Sequence, residues 1–345
     1  MRFIVTGASG MTGHRLVELL VARHGAAAVV ALTSPRPTAQ ESGRNGVLTQ
    51  LGVRQIRADL LAPDDLKNLP DFDAVYHLAA ELNIELTDGR EGAPMRVNDT
   101  GTANLIAALG ARLKDKLFVY TSSIAVVDRP GLGSAVTEDS PCRPRTLYGR
   151  TKLRGEEIVR EAAPRLGFRW SIFRLGTVYG PNCRESHVFD RFARWAAADA
   201  WQARVDWPGK LSLIFVDDAA EILLDALSRP EALSETFFLA NPEEATIGGM
   251  VREIRRALGK ERGLISVPAS LAGFLSRVLD QDWFWERMPG PVAANAWRLS
   301  LILSNGFQCD MSKLRRAFPE RSFVGFREGI SRALRDNAIM STAQA

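Results

Sequence analysis

The chain has 345 residues, of which 46% are hydrophobic, and it carries 44 basic against 40 acidic residues. That is enough apolar material for one large domain or two. Because charge is nearly balanced and no Lys/Arg-rich run contains interleaved aromatic residues, nucleic-acid binding is not expected.

Three cysteines, odd in number and far apart, indicate free thiols in a reducing cytoplasm rather than a disulfide or zinc framework. Apolar stretches such as 26–32 are too short to span a bilayer. A strand predicted from residue 2 leaves no room for a signal peptide before it. These features predict a cytoplasmic protein without a membrane span.

The first 180 residues alternate short apolar runs with helical patterns, which predicts an α/β fold with a doubly wound parallel sheet. Residues 36–46 are polar, with Pro and Gly, and are predicted to form a surface loop. A second loop, over 128–145, is predicted to bring Tyr148 to the start of a helix. The strands are predicted near 2–6, 28–33, 53–57, 73–78, 116–122 and 168–174.

After Pro181 the pattern becomes irregular, with a strand predicted over 211–216 and a returning sheet strand near 235–241. We expect residues 1–180, joined by the returning strand, to bind a dinucleotide. Residues 181–345 are expected to form mainly a smaller, interleaved α+β part that binds substrate. Helices are predicted over 189–200 and 219–227, and beyond about residue 246.

A glycine-rich turn follows the first predicted strand. Gly7, Gly10 and Gly13 allow the backbone to approach a pyrophosphate, and the start of the next helix offers free N–H groups to that anion. The spacing is Gly-x-x-Gly-x-x-Gly rather than Gly-x-Gly-x-x-Gly. Its place between a strand and a helix favours a phosphate cradle over a plain tight turn.

Tyr148 and Lys152 are one helical turn apart, and Ser123 lies upstream at the end of a predicted strand. A nearby ammonium favours a phenolate and lowers the pKa of a tyrosine, which is otherwise about 10. With a serine hydroxyl holding a substrate oxygen, this trio can transfer a proton to or from a carbonyl or alcohol. Taken singly, the three side chains also fit packing, surface charge and a strand-end cap, and Ser122 competes with Ser123.

The end of the second predicted strand, Ala31 to Arg36, contains no acidic residue. An acid there would accept hydrogen bonds from the ribose of NAD and repel a 2′-phosphate. Thr33 and Ser34 can donate hydrogen bonds instead, and Arg36 can pair with a phosphate. NADP is therefore favoured over NAD, the alternative being that Arg36 belongs to a solvated loop.

These motifs resemble the extended branch of the short-chain dehydrogenase/reductases, the NAD-dependent epimerase/dehydratase superfamily. The resemblance covers nearly the whole chain and implies a Rossmann fold. It is carried, in order, by Thr6–Gly13, Asp59-Leu60, Val75–Ala80, Asn98–Asn104, Phe118–Ser123, Tyr148–Lys152, Arg174–Pro181 and Phe215–Ala220.

The resemblance also implies roles for individual residues. Tyr148 transfers the proton, Lys152 lowers the pKa of Tyr148 and binds the nicotinamide ribose, Ser123 holds the substrate oxygen, and Asn98 supports the relay. Asp59 is implied to contact adenine. Cofactor contacts are implied for Gly7, Ser9, Gly10, Met11, Thr12, Gly13, Thr33, Ser34, Arg36, Asp59, Leu60, Leu78, Ala79, Ala80, Thr121, Tyr148, Lys152, Leu175, Gly176, Thr177 and Val178.

Departures from the family pattern narrow the range of reactions that this chain is expected to catalyse. Ile124 and Ala125 follow Ser123, where sugar-nucleotide dehydratases carry Asp-Glu, so the extra proton donor for elimination is missing. The short span between Tyr179 and Val216, and the absence of Arg before Asp310, are unlike sugar-nucleotide epimerases. The chain is nearer the branch of 3β-hydroxysteroid dehydrogenases and dihydroflavonol reductases.

The predicted activity is NAD(P)-dependent hydride transfer with a ketone or secondary alcohol of a small or hydrophobic molecule. A sugar-nucleotide 4-epimerase or 4-ketoreductase is the alternative, and a non-catalytic dinucleotide-binding sensor or scaffold is a third. Relatives dimerise through the helix of the Tyr-x-x-x-Lys segment, so a homodimer is possible.

Three further interpretations concern residues outside the trio. His77 is predicted to be a hydrogen-bonded core residue, and Asp218 to cap a helix that starts near Ala219. The aromatic run Trp283, Phe284 and Trp285 is predicted to lie in a core or an interface.

Overall fold

A computed structural model describes residues 1–81, 96–127, 135–144, 146–181, 183, 188–243, 245–260, 263–279 and 308–335, with isolated positions between 281 and 303. The strands are β1 (Phe3–Thr6), β2 (Val29–Thr33), β3 (Arg54–Arg57), β4 (Ala74–His77), β5 (Leu117–Ser123), β6 (Arg169–Leu175), β7 (Thr177–Tyr179), β8 (Val205–Asp206), β9 (Lys210–Leu211), β10 (Leu213–Phe215), β11 (Glu235–Leu239), β12 (Ala245–Thr246) and β13 (Ile265–Ser266). The helices are α1 (Met11–His24), α2 (Ala39–Gln50), α3 (Thr100–Leu109), α4 (Leu147–Leu166), α5 (Val188–Ala197), α6 (Val216–Asp225), α7 (Ile247–Ala257), α8 (Ala269–Leu279), α9 (Ser312–Ala317) and α10 (Phe326–Arg335).

Seven strands form the central sheet, in the order β11-β6-β5-β4-β1-β2-β3, and every pair is parallel. The predicted α/β fold, its six strands and the returning strand are confirmed. The order reverses direction between β1 and β4, which is where doubly wound sheets bind ligands at the carboxyl ends of their strands.

Helices cover both faces of the sheet, so its central strands are apolar on both sides. Val5 and Val119 belong to one buried cluster and Ile4 and Phe118 to the other. Neighbouring residues alternate between the two clusters because side chains alternate along a strand. This double burial fixes the register of the strands and hence the positions of their ends.

The prediction of a surface loop over 36–46 is wrong, because α2 begins at Ala39. The hydroxyl of Thr38 accepts a hydrogen bond from the Glu41 N–H at 3.3 Å, and the Glu41 carboxylate accepts one from the Thr38 N–H at 2.7 Å. This capping box stabilises the helix start strongly enough to outweigh the glycines that follow.

Beyond Pro181, the strands other than β11 have only two or three residues. β10 pairs with β7, β12 with β9 and β13 with β8, each outside the main sheet. α5, α6 and β10 confirm the helices and the strand predicted there, although α5 ends earlier than expected. No helix in the described part of the chain is both long and apolar enough to cross a membrane.

The predicted capping role of Asp218 is also wrong. α6 starts at Val216, and no side chain caps it. Asp218 lies within the first turn, where its carboxylate accepts a hydrogen bond from the Val324 N–H at 3.0 Å. It therefore joins α6 to the segment that precedes α10.

Candidate functional site

The residues predicted to bind cofactor lie at one edge of the sheet, because parallel strands all end on the same side. Gly7 follows β1, Thr33 ends β2, Asp59 follows β3, and Leu78 follows β4. Thr121 and Ser123 lie at the end of β5, opposite Phe173 and Leu175 of β6. The structure thus brings the separate motifs together, with Ser34, Leu60, Ala79, Ala80, Gly176, Thr177 and Val178 in the same set of strand ends.

The glycine-rich turn is packed too closely for side chains. Gly7 has a φ of 66°, and a Cβ on Gly13 would overlap the carbonyl oxygen of Gly7. Gly10 donates a backbone hydrogen bond to that oxygen at 2.9 Å. Gly10 is the residue before α1, and as a glycine it has no side chain that could accept hydrogen bonds from the first N–H groups of the helix. Backbone N–H groups at the start of α1, around Met11 and Thr12, are therefore available to an anion.

α2 holds this turn from the side. The Ser9 hydroxyl donates to Asn45 at 2.6 Å, and Arg44 donates to the Ser9 carbonyl at 3.0 Å. The sequence analysis does not predict Arg44 or Asn45 as site residues, because the composition of residues 36–46 favours a loop. The capping box at Thr38 and Glu41 is the signal that would have placed them on a helix.

His77 is fully buried and hydrogen-bonded on both ring nitrogens, as predicted. Its Nδ1 lies 2.6 Å from the Thr6 hydroxyl and its Nε2 lies 2.9 Å from the Thr102 hydroxyl. Thr102 donates in turn to the Asn98 carbonyl at 2.8 Å, which assigns the proton to Nε2. Burial lowers the pKa of His77 to about 3, with a further contribution from the charge of Lys152, so the ring is neutral and structural.

Asn98 is also fully buried, and its side chain joins two segments of the site. Its Oδ1 accepts from the Glu81 N–H at 2.9 Å, and its Nδ2 donates to the Glu81 carbonyl at 3.1 Å and to the Thr151 hydroxyl at 3.2 Å. Asn98 thereby connects the end of β4 to α4, beside Lys152. This geometry is compatible with its predicted supporting role.

α4 carries Tyr148 in its first turn, and Thr146 caps the helix by accepting from the Gly149 N–H at 3.0 Å. A Cβ on Gly149 would overlap the carbonyl oxygen of Ala125, and one on Gly155 would overlap the hydroxyl of Tyr120. Both glycines therefore let α4 lie directly against β5 and the turn after it. The close approach places Tyr148 beside the strand end that holds Ser123.

Lys152 is 1% exposed, and its Nζ makes no hydrogen bond within the described part of the chain. The ammonium lies 4.4 Å from the centre of the Tyr120 ring. Burial lowers the pKa of Lys152 to about 7, while the charge of Glu156 opposes this shift. A buried donor without an acceptor is costly. A hydroxyl of a bound ligand, such as one on a nicotinamide ribose, would give the Lys152 ammonium a hydrogen-bond acceptor.

Ser123 lies at the rim of the edge, 9% exposed, where its Oγ accepts from the Ala125 N–H at 3.2 Å. Ser122 is more deeply buried and lies beside the Glu156 carboxylate of α4. Ser122 therefore points towards α4, which leaves Ser123 as the hydroxyl closer to the open edge.

At the ends of β2 and β3, Arg36 is largely exposed and pairs with Asp59 at 3.3 Å. Thr33 is buried, and the Ser34 hydroxyl accepts from the Arg36 N–H at 3.1 Å. The guanidinium therefore lies across the groove between the ends of β2 and β3.

The segment that enters α4 is held by residues from far along the chain. Val136 forms a parallel bridge with Cys309, its N–H donating to the Gln308 carbonyl and its carbonyl accepting from the Asp310 N–H, both at 2.8 Å. Cys309 donates its backbone N–H to the Ser212 hydroxyl at 3.1 Å. The lead into the Tyr148 helix is thus fixed by the second half of the molecule.

The sequence analysis does not predict one buried ion pair on the helix that carries Lys152. Glu156 lies one turn beyond Lys152, is fully buried, and accepts two hydrogen bonds from Arg174 of β6, both at 2.9 Å. The spacing Tyr-x-x-x-Lys-x-x-x-Glu was the available signal. Its strand partner could not be found from local spacing.

The other residues considered in the sequence analysis do not form a second functional site among the described residues. Within the described residues, no group of His, Cys, Asp and Glu side chains is arranged to hold a metal ion. Trp283 is about half exposed, and Phe284 and Trp285 lie outside the described residues. The glycine-rich turn and the buried Lys152 ammonium, which makes no hydrogen bond within the described residues, together suit a nicotinamide dinucleotide.

Among curated proteins, the chain is 25% identical to a 2-alkyl-3-oxoalkanoate reductase of Shewanella oneidensis, over 95% of this chain and 84% of that protein. It is also 25% identical to an uncharacterized UDP-glucose epimerase, YtcB, of Bacillus subtilis, over 76% of this chain and 84% of the other.

Among solved structures, UDP-glucuronic acid 4-epimerase from Bacillus cereus, in complex with UDP-glucuronic acid and NAD, superposes with a TM-score of 0.76. It has 23% identity and covers 99% of this chain and 100% of that one. This likeness confirms the fold. The model of the NAD dependent epimerase/dehydratase family matches residues 3–240, and the chain belongs to that family.

Proposed function

We propose that this protein is an NAD(P)-dependent oxidoreductase acting on a ketone or secondary alcohol, with Tyr148 as the acid–base group. The observation that carries the proposal is the buried ammonium of Lys152, one helical turn from Tyr148 and beside the strand end of Ser123. A cation in that position favours the phenolate and makes tyrosine a usable proton donor near neutral pH.

In the reductive direction, Ser123 holds the substrate oxygen by a hydrogen bond and Tyr148 gives it a proton. The ammonium of Lys152 stabilises the phenolate that remains on Tyr148. The reverse reaction uses the phenolate as the base that removes the alcohol proton. A bound nicotinamide dinucleotide supplies or accepts the hydride, and the protein contributes alignment and electrostatics.

NADP is the proposed cofactor, on account of Arg36. Its guanidinium is exposed in the groove, and neither Thr33 nor Ser34 would repel a 2′-phosphate. Arg36 already pairs with a carboxylate oxygen of Asp59, and guanidinium groups bind phosphate oxygens with the same donor geometry.

A small or hydrophobic ketone is favoured as substrate over a sugar nucleotide. Ile124 and Ala125 follow Ser123, so the Asp-Glu pair that sugar-nucleotide dehydratases carry at these two positions is missing. The similarity to 2-alkyl-3-oxoalkanoate reductase extends over nearly the whole chain, and that enzyme's name describes a ketone carried on an alkyl chain.

The second candidate is a sugar-nucleotide 4-epimerase. It is supported by the relative named as a UDP-glucose epimerase and by a proton relay that serves both reactions. An epimerase oxidises and re-reduces its substrate within one cycle, so it retains NAD and produces no net change in the nicotinamide. Net cofactor consumption therefore separates the two candidates.

The experiment is to follow NADPH and NADH absorbance with a panel of 3-oxo esters and cyclic ketones, alongside UDP-glucose and UDP-glucuronic acid. NADPH consumption with a ketone, lost in Tyr148→Phe, is the expected result. Tightly bound NAD released on denaturation, with C4 inversion of a UDP-sugar and no net oxidation, would establish the epimerase instead. Cofactor binding without turnover of either class would favour the sensor or scaffold.

A further inference from the structure

A chain of buried hydrogen bonds begins beside the glycine-rich turn. Thr6 is the residue before Gly7. Its hydroxyl accepts from the Ala79 N–H at 3.1 Å and lies 2.6 Å from His77 Nδ1. On the other side of the ring, Nε2 lies 2.9 Å from the Thr102 hydroxyl of α3. The side chains of Thr6, His77 and Thr102 belong to residues that are at most 1% exposed, so these bonds are shielded from water.

The chain of bonds continues from α3 to the helix of Tyr148. Thr102 donates to the Asn98 carbonyl at 2.8 Å, and Asn98 Nδ2 donates to the Thr151 hydroxyl at 3.2 Å. Thr151 donates in turn to the Tyr148 carbonyl at 3.0 Å. Lys152 is the next residue along α4. The bonds therefore connect the glycine-rich turn to the turn of α4 that carries both proposed relay residues.

The hydrogens of this chain of bonds run in one direction. The Asn98 carbonyl can only accept, so the Thr102 hydroxyl donates to it and accepts from His77 Nε2. Burial lowers the pKa of His77 to about 3. The ring therefore carries one proton, and its Nδ1 accepts from the Thr6 hydroxyl. Turning either hydroxyl away would leave a buried group unpaired, which is costly.

The two ends of the chain of bonds meet the two halves of the ligand proposed above. The glycine-rich turn is proposed to bind the pyrophosphate, and Lys152 the nicotinamide ribose. A molecule that bridges two sites binds most tightly when the distance between the sites matches its span. A link that fixes this distance before binding saves the entropy of fixing it on binding. The bonds from β1 through β4 and α3 to α4 form such a link.

We propose that Thr102 is a positioning residue that holds α4 at the distance from the glycine-rich turn that a nicotinamide dinucleotide spans. It acts through His77 on one side and Asn98 on the other. Removing its hydroxyl interrupts the link, because His77 Nε2 loses its acceptor. If the ring then moved its proton to Nδ1, the Thr6 hydroxyl would lose its own acceptor instead. The inference rests on the proposed roles of the glycine-rich turn and Lys152.

The experiment measures dissociation constants by calorimetry for whole dinucleotides and for adenosine fragments. NADPH and NADH reach both sites, whereas adenosine 2′,5′-bisphosphate and ADP lack the nicotinamide ribose. The variants are Thr102→Val, which removes the hydroxyl at similar volume, and Thr102→Ser, which keeps it. Thr236→Val is the matched control, because the Thr236 hydroxyl accepts a hydrogen bond from Arg160, outside this chain of bonds.

Thr102→Val should weaken binding of the preferred dinucleotide by about tenfold, as expected for the loss of one buried hydrogen bond. Binding of the fragments should not change. Thr102→Ser should restore most of the wild-type affinity, and Thr236→Val should match wild type for all the ligands. Bonds that only stabilised the fold would lower the melting temperature without changing the ratio of dinucleotide to fragment affinity. That result, in a folded Thr102→Val variant, would overturn the inference.

Failure of the proposed function gives a different result. A wild-type protein that binds NADPH and NADH no more tightly than the fragments would show that Lys152 does not hold a nicotinamide ribose. If Thr102→Val does not fold, Thr151→Val interrupts the bonds at their last step, where Thr151 is 7% exposed. The same loss of dinucleotide affinity, without loss of fragment affinity, is expected. An unchanged ratio between the two in folded Thr151→Val would contradict the proposal.

Discussion

In the central sheet, β5 pairs with β6 over seven residues, whereas β13 pairs with β8 over two. The first pair is buried on both sides, and its end carries Ser123. The second pair is exposed at both Ile265 and Ser266. The chemistry proposed for Ser123 needs fixed atoms, and double burial of β5 fixes the strand end that carries this residue. The two-residue strand β13, after Pro181, is not fixed by burial in this way.

This comparison predicts that substitutions at the sheet edge change proton transfer or cofactor binding. A substitution within the second half, at a residue far from the edge, should change only stability. Four variants test this difference between the sheet edge and the second half of the chain, and they are given from the largest expected effect to the smallest.

Tyr148→Phe should lower turnover by about a hundredfold to ten-thousandfold, the usual contribution of a general acid or base. Cofactor affinity should change little, because Lys152 and the glycine turn remain. Steady-state kinetics with the identified substrate and a fluorescence titration with NADPH measure the two quantities. Turnover that survives the substitution would move the acid–base role to another group.

Gly13→Ala should weaken dinucleotide binding by about a hundredfold, because its Cβ would overlap the Gly7 carbonyl and displace the turn; overpacking of this kind costs about 1–3 kcal/mol. The matched control is Gly43→Ala in α2, where a Cβ would meet nothing within 4 Å. That control should bind normally and gain up to about 1 kcal/mol of stability. Equal binding by both variants would argue against the phosphate cradle.

Arg36→Ala should weaken NADPH binding by about tenfold, as expected for an exposed charge-assisted hydrogen bond. NADH binding should stay the same, because NADH carries no 2′-phosphate. Calorimetry with both cofactors gives the ratio of the dissociation constants for NADPH and NADH. Arg54, at the opposite end of β3, provides the control substitution. If NADPH and NADH affinities fall together, Arg36 does not select the cofactor.

Asp218→Asn should raise the melting temperature at pH 8 by about two degrees and have little effect at pH 4. Burial raises the pKa of Asp218 to about 6. A raised folded-state pKa means that stability is highest when the group is protonated and falls as pH rises through about 6. Asn removes the buried charge while its carbonyl can still accept from the Val324 N–H. Turnover and cofactor binding should not change, and Asp64→Asn, at an exposed surface pair, is the control.

Much of the sheet could be predicted because its strands are short apolar runs separated by turn residues. The parallel topology predicts the position of Ser123 at the sheet edge, whereas Tyr148 and Lys152 lie on α4, which packs against β5. α2 is not predicted because Pro37, Gly43 and Gly46 favour a loop over 36–46, while the capping box at Thr38 and Glu41 starts a helix there. Local composition was a weaker guide there than two hydrogen bonds at a helix start.

The ion pair of Glu156 and Arg174 could not be predicted from spacing, because it joins a helix to a strand through tertiary packing. The start of α6 was misplaced for a related reason. Val216 is buried against the second-half core, and this packing begins the helix before the acidic residues that were expected to cap it. Two-residue strands such as β8 and β13 show no periodicity that a sequence pattern could reveal.

The bridge between Val136 and Cys309 has a consequence for the order of events during synthesis. Chains grow from the N-terminus, and early segments fold as they emerge. The strands β1 to β6 are complete by residue 175, yet the segment leading into α4 meets its partner only after residue 310 has been made. The nascent protein therefore has its glycine-rich turn long before the lead into the Tyr148 helix is held in place by its bridge to Cys309.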